Sequence, residues 1–394
     1  MAEEISRNNR PFLLMEGGPL FHIEQRIGTI RRNAQLTKRR ALFSIFLTWM
    51  PLLLLSLLQG TAYGREIQVP FLRDYGAYTR FLLAVPLMLL AENILGPRIA
   101  GAAEHFITAN VILPADYNHF DEAVTRGLRH RDSVAAEIVI AILAFALSIG
   151  GFLLAAVHAS SWNVIHSATG ASPTWAGWWF ICISLPIYHF LGLRWLWRLF
   201  LWFQFLAAIN QLDLQLFPTH PDRAGGIGFI GEAEKFFGIL FFAYSCNIAG
   251  IIANQIIYNK IPLETFAPTI AAYVLIALAV LVIPLAIFMG RLFRIKLRGM
   301  HQYGSLSTTY TGAFHNKWIR GQSSENDPLL GTGDIQSLAD LGNSFGFVER
   351  MRLLPIDPRT FISLMIAGLL PMAPLVLAVM PLKEIIELLI KLLT

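Results

Sequence analysis

Six separated stretches of this chain, at 41–60, 79–99, 135–157, 234–258, 267–290 and 360–381, are apolar and long enough to cross a bilayer. No other feature constrains the fold as strongly. About 30 Å of hydrocarbon takes roughly 20 helical residues, and a helix is the form that satisfies every backbone N–H and C=O within one crossing segment. A further apolar run starts at Ala176 and continues to Ile209. It is too long for one crossing and too short for two with a turn. It is read as one span over 176–195 that continues as an aromatic helix at the inner surface, with Pro186 placed to kink it.

The composition agrees: 55% of residues are hydrophobic and only 14% charged, against about 25% charged in an average soluble domain. The predicted fold class is therefore an all-α polytopic membrane helix bundle of about seven transmembrane helices. Trp175, Trp178, Trp179, Trp195, Trp197 and Trp202 suit headgroup-level positions, where one end of the ring is apolar and the other wet. Cys182 and Cys246 lie inside apolar stretches and are read as packing residues. Met1 to Arg40 is polar and basic with no short apolar run, so the first span is expected to insert uncleaved.

Orientation follows from the basic residues, which accumulate on cytoplasmic flanks. With the spans taken alternately, 25 of the 31 Lys and Arg fall on the side of the N-terminus, and six on the other: Arg65, Arg73, Arg80, Lys260, Lys383 and Lys391. The N-terminus is expected inside and the C-terminus outside, in a bacterial inner (plasma) membrane. Reporters fused at Gly231 and Gly321 should then read cytoplasmic and one at Ala168 external; a cytoplasmic signal at Ala168 would overturn the seven-span order.

The chain divides into a basic cytoplasmic segment 1–40, a bundle 41–295 with cytoplasmic loops 100–134 and 196–233, a cytoplasmic helical region 296–358, and a last span with an amphipathic tail, 359–394. The tail after Pro381 is too short to cross and reads as a helix in the outer interface. Within 296–358, Asp334 is the expected N-cap of a helix that carries Ile335, Leu338, Leu341, Phe345, Val348 and Met351 on one face, packed under the bundle. Residues 321–333 read as a flexible connection, and the loop 158–175, without Lys, Arg, Asp or Glu, as a cap on the outer surface.

Ionisable groups inside spans are costly, by at least about 2.5 kcal/mol each. Glu92 lies near the cytoplasmic end of the second span, and Arg194 and Arg198 share a helical face at comparable depth on the fourth. A Glu92–Arg194 pair would relieve both charges. Glu92 either pins two helices together or binds a cation or relays a proton. On the fifth span Ala243, Asn247, Gly250 and Asn254 form a small and polar stripe, which either admits a neighbouring helix or lines a hydrated path. Ala144, Ser148, Gly151 and Ala155 form a small stripe on the third span, and the two stripes are expected to meet.

The densest local signal is the segment 213–229. Asp213, His220, Asp222, Arg223, Gly225 and Gly226 are its candidate ligand residues. Amides around the glycines, with Arg223, suit an anion, while His220 and Asp222 suit a metal ion or a proton-transfer pair. The alternative is an ordered interfacial turn. The segment lacks a P-loop ending and any standard zinc spacing, so no metal site and no cofactor is assigned.

At His-Pro-Asp-Arg-Ala-Gly-Gly (220–226) and at Asp334 to Asp340, the chain resembles uncharacterised bacterial multi-pass inner-membrane proteins that share this loop. The resemblance implies the membrane layout and carries no activity or residue role. Three functions stay open. One is a channel or transporter for a small ion or solute. The second is a membrane enzyme acting on a lipid or phosphorylated substrate at the cytoplasmic face. The third is a non-catalytic sensor or scaffold working through 296–358. The expected partners are the lipid bilayer, a small ion or solute and a second copy of the chain in a homo-oligomer. Nucleic acid is not expected, because the basic residues flank the spans and form no single patch.

Overall fold

The computed structural model describes residues 11–19, 21, 34–64, 67–156, 161–167, 170–321 and 333–379. Seven helices are long and apolar enough to span a membrane: α1 (Thr37–Leu58), α2 (Tyr75–Thr108), α4 (Val134–Leu154), α5 (Trp175–Ile209), α6 (Gly228–Asn259), α7 (Leu263–Ala286) and α10 (Pro358–Val376). Among the described residues the one paired-strand element is the hairpin β1 (Val164–Ser167) and β2 (Gly170–Pro173), joined antiparallel. It lies between α4 and α5 at what is here termed the hairpin end. The opposite, basic end carries α3 (Tyr117–Arg131), α8 (Met289–Phe314) and α9 (Asp334–Glu349). The amphipathic tail expected after Pro381 and nearly all of the connection 321–333 lie outside the described residues.

The spans fall into two groups by burial. Between 50% and 61% of the most apolar stretch is buried in α2, α5 and α6, against 22–28% in the other four, so those three form the centre. The peripheral helices turn large apolar side chains outward, among them Phe43 and Phe46 on α1, Ile138 and Ile142 on α4, and Leu275 and Ile276 on α7. Surface of that kind is stable only against lipid. At 34, 35 and 32 residues the central helices are about 50 Å long, well beyond the hydrocarbon thickness. They continue past it and carry the structure of the basic end.

The fourth span does not break at 195. Trp175 to Ile209 is continuously helical because its lower half is buried all along one side: Leu199, Leu201, Trp202, Phe205 and Leu206 sit in the core. Its proline is absorbed locally. A short π-helical segment, Phe180–Ser184, precedes Pro186, and another, Thr79–Ala84, precedes Pro86 in α2. The wider π turn relieves the contact between a proline ring and the carbonyl one turn back. Both helices also begin alike, with Asp74 and Thr174 accepting a capping bond from the amides of Ala77 and Gly177.

The small stripes of the third and fifth spans do not meet. α4 packs along α5, with Ala144 and Ser148 buried while Gly151 is exposed. α6 instead packs on the first turns of α2, where a Cβ on Gly250 would overlap the Thr79 hydroxyl and Tyr75 carbonyl. α9 also differs from expectation. It lies along α8, and of its apolar face only Val348, with Met351 just beyond the helix, is buried; Ile335 is 51% exposed. Gly333 takes the N-cap position, because the Asp334 carboxylate accepts bonds from Lys317 and Trp318 instead.

Candidate functional site

The polar group at the basic end begins with Glu92 on α2, which is only 8% exposed. Its Oε1 accepts from Arg198 Nη1 at 2.7 Å and its Oε2 from Arg40 Nη1 at 2.9 Å, while Arg194 Nη1 stands 3.9 Å from Oε1. The expected Glu92–Arg194 ion pair is present at 3.9 Å, but it is not the closest contact. Arg198, one turn further along α5, makes the close bond, and Arg40 at the start of α1 makes the second. Asn93, next to Glu92, donates to the Thr37 hydroxyl and fixes α1 against α2. Both carboxylate oxygens are held by guanidiniums and three positive charges face Glu92, which disfavours a cation there.

The arginines are held from above and below. The Arg198 guanidinium lies 5.0 Å from the Trp195 ring centroid, and Trp195 donates its indole N–H to the Met88 carbonyl. On the other side, residues 11–18 thread into the bundle. Met15 O accepts from Arg198 Nη2 at 3.2 Å and Gly17 O from Arg194 Nη2 at 3.4 Å. Phe12 stacks on Phe205 with centroids 4.5 Å apart, Arg131 donates to Leu13 O at 2.6 Å, and Gly18 N donates to Asp132 Oδ1 at 2.9 Å. This segment closes the basic end over the arginine pair. Arg194 is 5% exposed, and among the described residues its Nη1 has no hydrogen-bond partner.

Asn247 and Asn254 line the contact between α6 and α2. Asn254 bridges the start of α2, accepting from the Tyr75 amide at 3.0 Å and donating to Asp74 Oδ1 at 2.7 Å. Asn247 accepts from Arg80 Nε and donates to the Tyr188 hydroxyl, each at 3.0 Å. The stripe therefore lets two helices approach and also carries a buried polar contact across three of them.

In the loop before α6, the Asp222 carboxylate takes the place that an anion would need. It accepts from the amides of Ala224 at 2.8 Å, Gly226 at 3.1 Å and Gly228 at 2.8 Å, with His220 Nδ1 2.8 Å away. Burial alone would raise the Asp222 pKa, but the Ala224 and Gly228 amides, the His220 ring and the Gly226 amide together hold it below the usual carboxylate range. The left-handed backbone at Arg223, Gly225 and Gly226 wraps the chain around this carboxylate. Arg352 then docks on the outside of the turn, bonding Asp222 O and Arg223 O, each at 2.7 Å. Asp213 does not join the group; its amide donates to Asp116. The loop is an ordered turn that anchors the segment before α10, in which His220 and Asp222 meet; no hydrogen bond from the Asp213 side chain to either is found among the described residues.

Three residues escaped the sequence reading. Arg40 was grouped with the polar N-terminus and Arg80 with an outer flank. Glu234, 2% exposed and bonded to the Trp202 indole at 2.9 Å, sat at a span boundary. For Arg80 the missed signal was position: it lies five residues inside a helix that is capped by Asp74. No protein-family model, curated protein or solved structure matches the chain.

Proposed function

We propose that the protein is a channel or transporter for a small anion, closed in this form by residues 11–18, with its basic end in the cytoplasm of a bacterial cell. The reading is carried by Arg194, a buried guanidinium whose Nη1 has no hydrogen-bond partner among the described residues, set beside Arg198, with Glu92 and two backbone carbonyls as neighbouring acceptors. A buried N–H donor without a partner costs about 1–3 kcal/mol, more on a charged group. Such a donor is retained where an acceptor arrives from outside. Among the described residues the contact group holds three guanidiniums and one carboxylate, so its selectivity is for negative charge. The 25-to-6 distribution of basic residues supports the orientation.

The test is flux. The purified protein, reconstituted in vesicles that contain an anion-quenched dye, should pass at least one of chloride, nitrate, phosphate and acetate faster than empty vesicles do. Arg194→Gln should reduce that flux at least tenfold. Equal permeability of loaded and empty vesicles, or an undiminished Arg194→Gln variant, would sink the reading.

A further inference from the structure

A second cationic centre lies further along the bundle, away from the basic end. Arg80 leaves α2 within its π-helical segment, and its Nε donates to Asn247 at 3.0 Å. Among the described residues no hydrogen-bond partner is found for its two terminal amino groups, and no carboxylate lies in ion-pair contact with it. The closest acid along α2, Asp74, is committed: Oδ1 accepts from the Ala77 amide and Asn254, and Oδ2 from the Trp162 indole at 2.7 Å. Aromatic rings surround the guanidinium, with Phe81, Phe180 and Tyr188 centroids 5.9, 5.8 and 5.6 Å away.

The direction in which Arg80 points separates this arrangement from ordinary snorkelling. A snorkelling arginine reaches for the headgroups. Asn254 meets the first residue of α2, and Asn247 lies two turns, about 10 Å, deeper on α6. Tyr188 lies 13 residues, about 20 Å, along α5 from Trp175. Arg80 therefore reaches toward the membrane centre. Tyr188 is 5% exposed and accepts from Asn247, which leaves its own O–H to donate.

We propose that Arg80, with the Tyr188 hydroxyl, forms a binding site for a small monovalent anion near the middle of the membrane. One guanidinium and one phenol hydroxyl match a single negative charge, and Asn247 sets both by accepting from one and donating to the other. The aromatic rings offer no acceptor and leave the half-buried guanidinium's terminal N–H groups to the ligand. As a station on a path, the site rests on the anion reading above; as a site, it is testable alone.

Chloride is the probe. The melting midpoint of the full chain in detergent is followed by tryptophan fluorescence while sodium chloride replaces sodium gluconate at constant ionic strength. The midpoint should rise saturably with chloride. Arg80→Gln should remove the rise, and Tyr188→Phe, which keeps the ring, should raise the half-saturating concentration about tenfold, as expected for the loss of one hydrogen bond to a charge. Should Arg80→Gln fail to fold, Tyr188→Phe decides alone. A parent without a chloride response, an unchanged response in Tyr188→Phe, or a response lost only in Arg194→Gln would each overturn the site. None of these results bears on whether flux depends on Arg194, so the two proposals fail separately.

Discussion

Glu92→Leu is expected to destabilise the protein by about 3–5 kcal/mol, the cost of removing one partner from a buried ionic group. The carboxylate is the acceptor that Arg198 holds at 2.7 Å and the one nearest to Arg194. Leucine fills the volume and leaves those charges without it. Glu92→Gln keeps the shape and one acceptor oxygen but removes the charge, so it should fall between the parent and the leucine variant. The origin of the loss is testable by pairing: Glu92→Leu combined with Arg198→Met should recover part of the stability, because the double variant no longer strands the Arg198 charge. Denaturant unfolding in detergent micelles measures all four proteins. A leucine variant as stable as the parent, or a double variant no better than the single, would show that the group contributes nothing through its charge.

Which features were legible in the sequence follows from what each feature depends on. The seven spans were readable because hydrocarbon thickness acts on local composition alone, and every predicted span overlaps an observed one. The continuation of α5 beyond 195 was not. Whether an aromatic helix lies flat or runs on depends on what it packs against, and Phe12, Phe106 and Phe120 come to Phe205 from distant parts of the chain. Glu92, Arg194 and Arg198 were legible as costly residues on facing helices. Choosing between the arginines required the rotation of α5, and Arg40 required knowing that α1 begins before its apolar run.

The loop 213–229 shows a different limit. Its residues have the chemistry of an anion site, and the backbone does build one: three amides converge on two oxygens. The occupant is the loop's own Asp222. Residue types give the donors and acceptors but not whether they satisfy each other, so a self-satisfied turn and an open site look the same in sequence. Arg80 is the converse case. Read by alternation it belonged to an outer flank, whereas the π-helical segment and Asn247 turn it toward the membrane interior.

The same distinction, whether a group is filled from within or left for something else, sets the expected effect of Phe12→Ala. Phe12 is 2% exposed, stacks on Phe205, tilts on Trp202 at 6.2 Å and presses on Gly127. Truncating a buried Phe to Ala costs about 3–5 kcal/mol. Here that cost falls on the docking of residues 11–18, while the seven helices keep their own contacts. The polar latches that remain, at Leu13, Met15, Gly17 and Gly18, join the segment to Arg131, Arg198, Arg194 and Asp132. Without the aromatic anchor the segment should leave the arginine pair for a larger fraction of the time. Anion flux through reconstituted vesicles should then rise at least tenfold, and a glutamyl endopeptidase should cut after Glu16 faster than in the parent. Both measurements are needed. Faster cleavage with unchanged flux would mean that the segment is released without opening a path, and the closed-channel reading would fall. Faster cleavage with raised flux that Arg194→Gln abolishes in the same background would tie the path to the guanidinium that residues 11–18 cover.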